Sequence, residues 1–147
     1  MVHTLTESVL TGAMQSESQQ VALVLGASGF VGSHLVEHLA TRGIPTVAVS
    51  SAQIDLSQPE SVQVLKEIVK EGDSVVFVSG LTPDKGRDVS TLMRNLSMGE
   101  NLAAVLAESP CSHVIYISSD AVYEDDANPV RETSNCSPSS FHGLMHL

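Results

Sequence analysis

The sequence predicts an α/β fold: a doubly wound parallel sheet of about five strands with helices on both faces. Three observations predict it. Short apolar runs rich in β-branched residues alternate with segments whose apolar residues recur at helical spacing. The connections between them are short, as in βαβ units. The first strand runs straight into a glycine-rich turn, with Gly26, Gly29 and Gly32, that opens a helix.

Each element follows from its residues. Residues 21–25 (VALVL) form a continuous apolar run, as expected of a strand buried on both faces. After the glycine turn, residues 33–41 carry Leu35, Val36, Leu39 and Ala40 at helical spacing, and Gly43 ends that helix. Residues 46–49 (TVAV) read as a second strand. Ile54 and Leu56 flank Asp55 in what reads as a short third strand. Residues 58–70 place Val62, Leu65, Ile68 and Val69 on one helical face; Ser57 is the expected N-cap, with Pro59 in the first turn and Glu60 three residues on. Residues 73–78 (DSVVFV) are a strand. Residues 88–108 are a long helix with Leu92, Leu96, Leu102, Val105 and Leu106 inward. Residues 113–117 (HVIYI) complete the sheet. Residues 124–140 are polar, hold two prolines and read as a loop; residues 141–147 read as the start of another helix.

Composition narrows the function. The chain has 147 residues, 42% of them apolar, enough for one domain with its own core. No apolar run approaches the roughly 20 residues of a membrane helix. Acids outnumber bases 17 to 7, for a net charge of −10. The bases (Arg42, Lys66, Lys70, Lys85, Arg87, Arg94 and Arg131) are scattered along the sequence, so nucleic acid is not an expected partner. A small anion remains compatible, because backbone N–H groups bind one without Lys or Arg. Residues 1–20 have neither a basic start nor a continuous apolar core and read as a flexible leader before a domain at 21–147. The two cysteines, Cys111 and Cys136, form no CxxC pattern and read as reduced thiols of a cytoplasmic protein.

The glycine turn is a place for a diphosphate. Its first glycine permits the tight turn, the second lets the backbone approach the ligand, and the third lets helix and strand pack closely. The helix start adds free N–H groups and a partial positive charge.

The spacing is GxxGxxG, and here a resemblance becomes specific. Residues 26–34 (GASGFVGSH) resemble the opening of the extended short-chain dehydrogenase/reductase family, which holds nucleotide-sugar epimerases, dehydratases and reductases. Asp55-Leu56 resembles that family's adenine-contacting pair. Ser79-Gly80 resembles the small residues that lie along its cofactor. Asn95 and Asn101 match two asparagines of its long helix. Residues 117–123 (ISSDAVY) resemble its motif at the end of the last predicted strand. The resemblance runs from about residue 21 to the end. It implies a Rossmann-like fold and NAD or NADP as cofactor. It implies cofactor contacts from Gly26, Ser28, Gly29, Phe30, Val31, Gly32, Asp55, Leu56, Ser79, Gly80 and Leu81. An acid at the end of the second strand would take a ribose hydroxyl, and an Arg there a 2′-phosphate. Ser50 and Ser51 stand there instead, which speaks against strict NAD use and leaves both cofactors open.

The resemblance also implies a catalytic position, and here the sequence departs from it. The family transfers a hydride to or from a carbonyl carbon. A tyrosine phenol moves the matching proton, helped by a lysine four residues on, and a serine or threonine bonds the same oxygen. Ser119 matches the serine. The tyrosine and lysine positions hold His142 and His146. Three readings compete. His142 is a substitute acid/base suited to neutral pH, with His146 orienting it. Or proton transfer is lost and the chain only binds a nucleotide. Or the two histidines, one helical turn apart, are half of a metal site that needs further ligands. Imidazole is shorter than phenol, which weighs against a simple replacement.

Other groups have plainer readings. Asp120 sits where dehydratases of the family carry an Asp-Glu pair, but Ala121 follows it. Tyr123 matches a second family tyrosine and reads as non-catalytic. His34 and His38 read as ordinary helix residues; His113 begins a strand, and His3 lies in the leader. Glu124, Asp125 and Asp126 read as a solvated loop without calcium-loop spacing.

The resemblance implies more than this sequence contains: a further strand and a C-terminal domain that closes over the substrate. The expectation is therefore a truncated sheet without a substrate domain, the NAD(P)-binding part of a nucleotide-sugar oxidoreductase, inactive as this fragment. Its substrate would be a nucleotide-sugar in a longer form. The competing expectation is a stand-alone nucleotide-binding sensor or scaffold. Either predicts self-association, because the 88–108 helix resembles the family's dimer helix and the sheet would leave an apolar edge.

Overall fold

The computed structural model describes residues 20–124 and 129–147. Asp125, Asp126, His3 and the leader up to residue 19 lie outside the described residues. The elements run β1 (Ala22–Leu25), α1 (Phe30–Thr41), β2 (Thr46–Val49), α2 (Ser61–Ile68), β3 (Ser74–Phe77), α3 (Val89–Glu108), β4 (His113–Tyr116), a 3₁₀ turn (Asp120–Val122) and α4 (Phe141–Leu144). The strands form one parallel sheet in the order β2-β1-β3-β4, with Leu25 level with Val49 on one side and Phe77 on the other. The order reverses between β1 and β3. In such sheets, ligands bind at the carboxyl ends of the strands on either side of that reversal.

Alternation along the strands sets the layers. Leu23, Leu25, Val75 and Phe77 join Leu65, Met98, Leu102 and Val105 in the main core, on the side of α2 and α3. Ala22, Val24 and Val76 are buried on the other face, where α1 packs on β1 and β2. Each fully buried aliphatic side chain contributes about 1.5–3 kcal/mol of apolar burial. Asp73 is buried as well, and its carboxylate ties three segments. Oδ1 accepts from Val21 N at 3.2 Å and Oδ2 from Lys70 N at 3.0 Å, while its carbonyl accepts from Ser112 N at 2.8 Å.

The expected third strand at Ile54 and Leu56 does not form; among the described residues the sheet has four strands. The chain turns instead. Gln53 N and Ile54 N both donate to Ser50 O, and Asp55 Oδ1 accepts from Ser57 N and Ser57 Oγ. Leu56 is apolar because it caps the core, not because it belongs to a ladder. The same turn corrects the capping expectation. Ser57 spends its hydroxyl on Asp55, a turn through residues 56–60 follows, and α2 starts at Ser61 with no side-chain cap.

The long helix is capped by Asp88, whose Oδ1 accepts from Thr91 N at 2.8 Å. Its buried stripe is Met98, Leu102 and Val105. Leu96, expected inward, is 45% exposed, and Leu92 and Leu106 are half-buried. α3 is rotated relative to the expected face because Met98 packs against the core beside Leu56. β4 is a sheet edge: Val114, Ile115 and Tyr116 are all exposed. No helix among the described residues is long and apolar enough to cross a membrane.

Candidate nucleotide cleft and the adjacent histidine pair

The glycine turn closes through backbone contacts that require glycine. Gly26 adopts φ +102°, and a Cβ there would lie 2.8 Å from Ser79 N. A Cβ on Gly32 would lie 2.2 Å from Gly26 O, so this glycine lets α1 pack on the turn. Gly29 differs. Its φ of −75° suits any residue, and a Cβ would meet only Gly26 O, at 3.3 Å. A methyl at Gly29 would need Gly26 O to give by only a few tenths of an ångström, and Gly29 lines the cleft. α1 begins here with neither a side-chain cap nor an acid in its first turn. The N–H groups of its first residues are left for a ligand, as a helix start leaves them.

A cleft of about 550 Å³ opens above this turn. Gly26, Ser28, Gly29, Asp55, Leu56, Ser79, Gly80 and Leu81 all line it. The structure therefore brings together most of the residues singled out as cofactor contacts, drawn from the ends of β1 and β3 and from the turn before α2. Phe30, Val31 and Gly32 are not on its wall. Phe30 is 82% exposed and its ring packs on His34, whose Nδ1 donates to Phe30 O at 2.7 Å. Asp55 keeps its carboxyl below the usual carboxylate range, chiefly through the Ser57 hydroxyl and amide, with a smaller contribution from Arg94. At the end of β2, Ser50 N and Ser50 Oγ both donate to Gln53 Oε1, each at 2.9 Å.

α3 is pinned to two walls of the cleft. Asn95 bonds both backbone groups of Leu81, at 2.7 and 3.1 Å. Asn101 Nδ2 donates to Leu56 O and Gln58 O, at 2.9 and 3.0 Å. The two asparagines of the family resemblance are thus clamps between the helix and the cleft loops.

A second cavity of about 510 Å³ shares Leu81 with the first. Its wall includes Arg87, Asn95, Ala121, Phe141 and His142. α4 is capped by Ser140, whose Oγ accepts from Gly143 N. The helix is seated on the 3₁₀ turn by Gly143, where a Cβ would fall 2.0 Å from Ala121 O. That contact places His142 beside Ala121. His142 Nδ1 is buried without a hydrogen-bond partner. The His142 and His146 rings meet edge to face, with centroids 4.9 Å apart. His146 Nδ1 lies 2.5 Å from Tyr116 Oη. Burial, and then His142, lower the His146 pKa below its ordinary value; burial raises that of Tyr116.

Ser119 is not on either cavity wall. Its Oγ accepts from Ala121 N at 3.2 Å and donates to Asp120 Oδ1 at 3.3 Å, so it caps the 3₁₀ turn. The histidine pair is brought together; the serine is not joined to it. Among the described residues, no three His, Cys, Asp or Glu side chains form a metal-binding group. Sequence reasoning passed over Tyr116, Lys85 and Arg94. The helical register of Arg94 with Met98 and Asn101 carries a signal for Arg94. Nothing in the sequence points to Tyr116, since a strand residue's partner across space has no local signature.

A glycine turn at the reversal of a parallel sheet, opening a helix under a cleft, is the architecture of Rossmann-like domains. The chain belongs to the NAD dependent epimerase/dehydratase family, which it matches over residues 22–147. It is 25% identical over 133 residues to a dTDP-4-dehydrorhamnose reductase of Mycobacterium tuberculosis, covering 85% of this chain and 42% of that relative. The chain thus spans about two fifths of the length of the curated relatives it matches. Among solved structures, RMD from Pseudomonas aeruginosa complexed with NADPH is similar at a TM-score of 0.70 and 31% identity, over 86% of this chain and 46% of that one. The Thermus thermophilus UDP-glucose 4-epimerase complex with NAD shares the fold, at a TM-score of 0.69 and 21% identity, over 86% and 47% of the two chains.

Proposed function

We propose that this chain is the NAD(P)-binding part of a nucleotide-sugar reductase, epimerase or dehydratase, and that it does not turn over substrate by itself. The observation that carries this is Gly29: it lines the cleft at a helix start with no cap of its own. The cofactor's diphosphate would rest on the amides of the turn and of the first residues of α1. Asp55 and Leu56 would meet the adenine, and Ser79, Gly80 and Leu81 would run along the remainder. When bound, NAD(P)H supplies a hydride. In a longer protein His142 would carry the matching proton, with His146 orienting it and Ser119 helping to hold the oxygen. The free thiols of Cys111 and Cys136 accord with a cytoplasmic setting. The domain assignment is a leader to residue 20 and one nucleotide-binding domain thereafter.

Calorimetric titration of the chain with NAD, NADP and ADP tests this reading. Micromolar binding of a dinucleotide is the expected result; no heat with any of the three defeats it.

A second reading has its own support. The Ser119 hydroxyl is used inside the 3₁₀ turn, and the proton-carrying pair is His142 and His146 in place of phenol and amine. On that reading the chain binds a nucleotide as a sensor or scaffold. His142→Phe in a longer form discriminates: unchanged turnover removes His142 as the proton carrier. Self-association is part of both readings, because α3 exposes Met93 and Leu96.

A further inference from the structure

The chain carries a net charge of −10 with only 7 basic residues, yet two of them, Lys85 and Arg94, line the cleft above the glycine turn. Their placement is built into the fold. Arg94, Met98 and Asn101 lie on one stripe of α3, as residues spaced by four and then three do. Met98 is buried in the core, and Asn101 is bonded to Leu56 O and Gln58 O. One turn before them, Arg94 is therefore held on the cleft side, next to Asn95 and its two bonds to Leu81. Lys85 comes from the loop that leads into α3.

Neither cation is committed elsewhere. Among the described residues Arg94 has no ion pair within 4.0 Å. Lys85 meets only its neighbour Asp84, at 3.4 Å, and both side chains are about two-thirds exposed. Such a pair contributes little to stability. Asp84 is already engaged by the Thr82 hydroxyl, which chiefly keeps its carboxyl charged. The one acid on the cleft wall is Asp55, so the wall carries two positive charges and one negative in a strongly acidic chain. The glycine turn offers uncharged N–H groups from its own side. An anionic ligand resting on that turn would leave its other face toward α3.

We propose that Lys85 and Arg94 form a cationic wall that binds the phosphates of an adenine dinucleotide from the α3 side, completing the cradle that the glycine turn begins. This rests on the NAD(P)-binding reading and adds the residues that neutralise the ligand's charge. The shared chemistry is a phosphate on a nucleoside; the source is either the bridging diphosphate or the third phosphate of NADP.

Titration of the full chain and of the Arg94→Gln and Lys85→Gln variants with adenosine, ADP, NAD and NADP tests it. Both side chains are exposed, so the variants should fold, and adenosine affinity reports an intact adenine site. Each variant should bind NADP about 5- to 30-fold more weakly, the loss expected for one charge-assisted contact, with adenosine unchanged. Arg94→Lys should recover part of the loss. An equal loss for ADP, NAD and NADP assigns the wall to the diphosphate; a loss confined to NADP assigns it to the third phosphate. Variants that bind NADP as tightly as the parent overturn the proposal while leaving the nucleotide reading intact. Failure of the parent to bind any nucleotide overturns both.

Discussion

Tyr116 Oη lies 2.5 Å from His146 Nδ1, and the two rings stack with centroids 5.7 Å apart and a 28° tilt. Phe77 extends the stack on the other side of Tyr116, at 5.6 Å. The contact ties the sheet edge to the segment that follows α4. Burial raises the phenol's pKa, so near neutrality it keeps its proton, and the tautomer of His146 decides which of the two groups donates. With the phenol as donor, the ring proton of neutral His146 is on Nε2.

His146 should therefore titrate below 6.5 in the folded chain. Donation to Nδ1 favours the neutral ring, so Tyr116→Phe should move its titration up toward the ordinary value. Side-chain NMR across pH 5 to 8, with nitrogen shifts to read the tautomer, checks both points. A His146 titration unmoved by Tyr116→Phe would show that the phenol does not set the tautomer.

The same shift sets a pH dependence of stability. The unfolded chain binds a proton at His146 below about 6.5, where the folded chain does not yet. Stability from this group is complete above that value and is lost as pH falls through the lowered folded pKa. Thermal melting at pH 7.5 and pH 5.5 should show a larger drop for the parent than for His146→Gln. The difference should be small, because His146 is only partly buried.

Two glycines of the turn, Gly32 and Gly29, should separate by phenotype. Gly32→Ala puts a methyl 2.2 Å from Gly26 O and should destabilise the fold by about 2 kcal/mol or more. Gly29→Ala meets only Gly26 O, at 3.3 Å, and should cost much less stability than Gly32→Ala, while weakening dinucleotide binding at least tenfold. Melting curves and calorimetry on the two variants check the contrast.

Asp73→Ala would leave Val21 N and Lys70 N without their carboxylate acceptors. For a group that is 5% exposed, the expected cost is about 2–4 kcal/mol. Urea unfolding measures it, and Asp73→Asn should recover part of the loss through its remaining carbonyl.

Self-association through α3 predicts a concentration-dependent mass in sedimentation. The Met93→Gln, Leu96→Glu double variant should shift the chain toward monomer, since both side chains are about half exposed on one face. A parent that sediments as a monomer at high concentration removes this expectation.

The layers and the glycine turn are legible in the sequence because they rest on local signals: continuous β-branched apolar runs in the strands, a period near 3.6 in the helices, and glycine where backbone meets backbone. The errors arose where tertiary bonding overrode a local pattern. Ile54 and Leu56 alternate like a strand, yet Asp55 turns the chain by bonding Ser57. Ser57 has the right neighbours for a helix cap, but its hydroxyl has that other partner. Leu96 fits a helical stripe, but the stripe that meets the core is set by Met98. In the site, Asn95 and Asn101 were legible by position and their bonds were not. Lys85 and Arg94 read as scattered charges along the sequence; the fold alone brings them to one wall.

The near-contact of Gly143 with Ala121 has a consequence for engineering. The seat of α4 on the 3₁₀ turn is defined by main chain against main chain, with the His146 ring adding a separate tie to Tyr116. The side chains at 142 and 146 project from that mount. His142→Tyr with His146→Lys would set on that mount the phenol and amine that the family resemblance implies, making the chain a ready host for testing a proton path one group at a time.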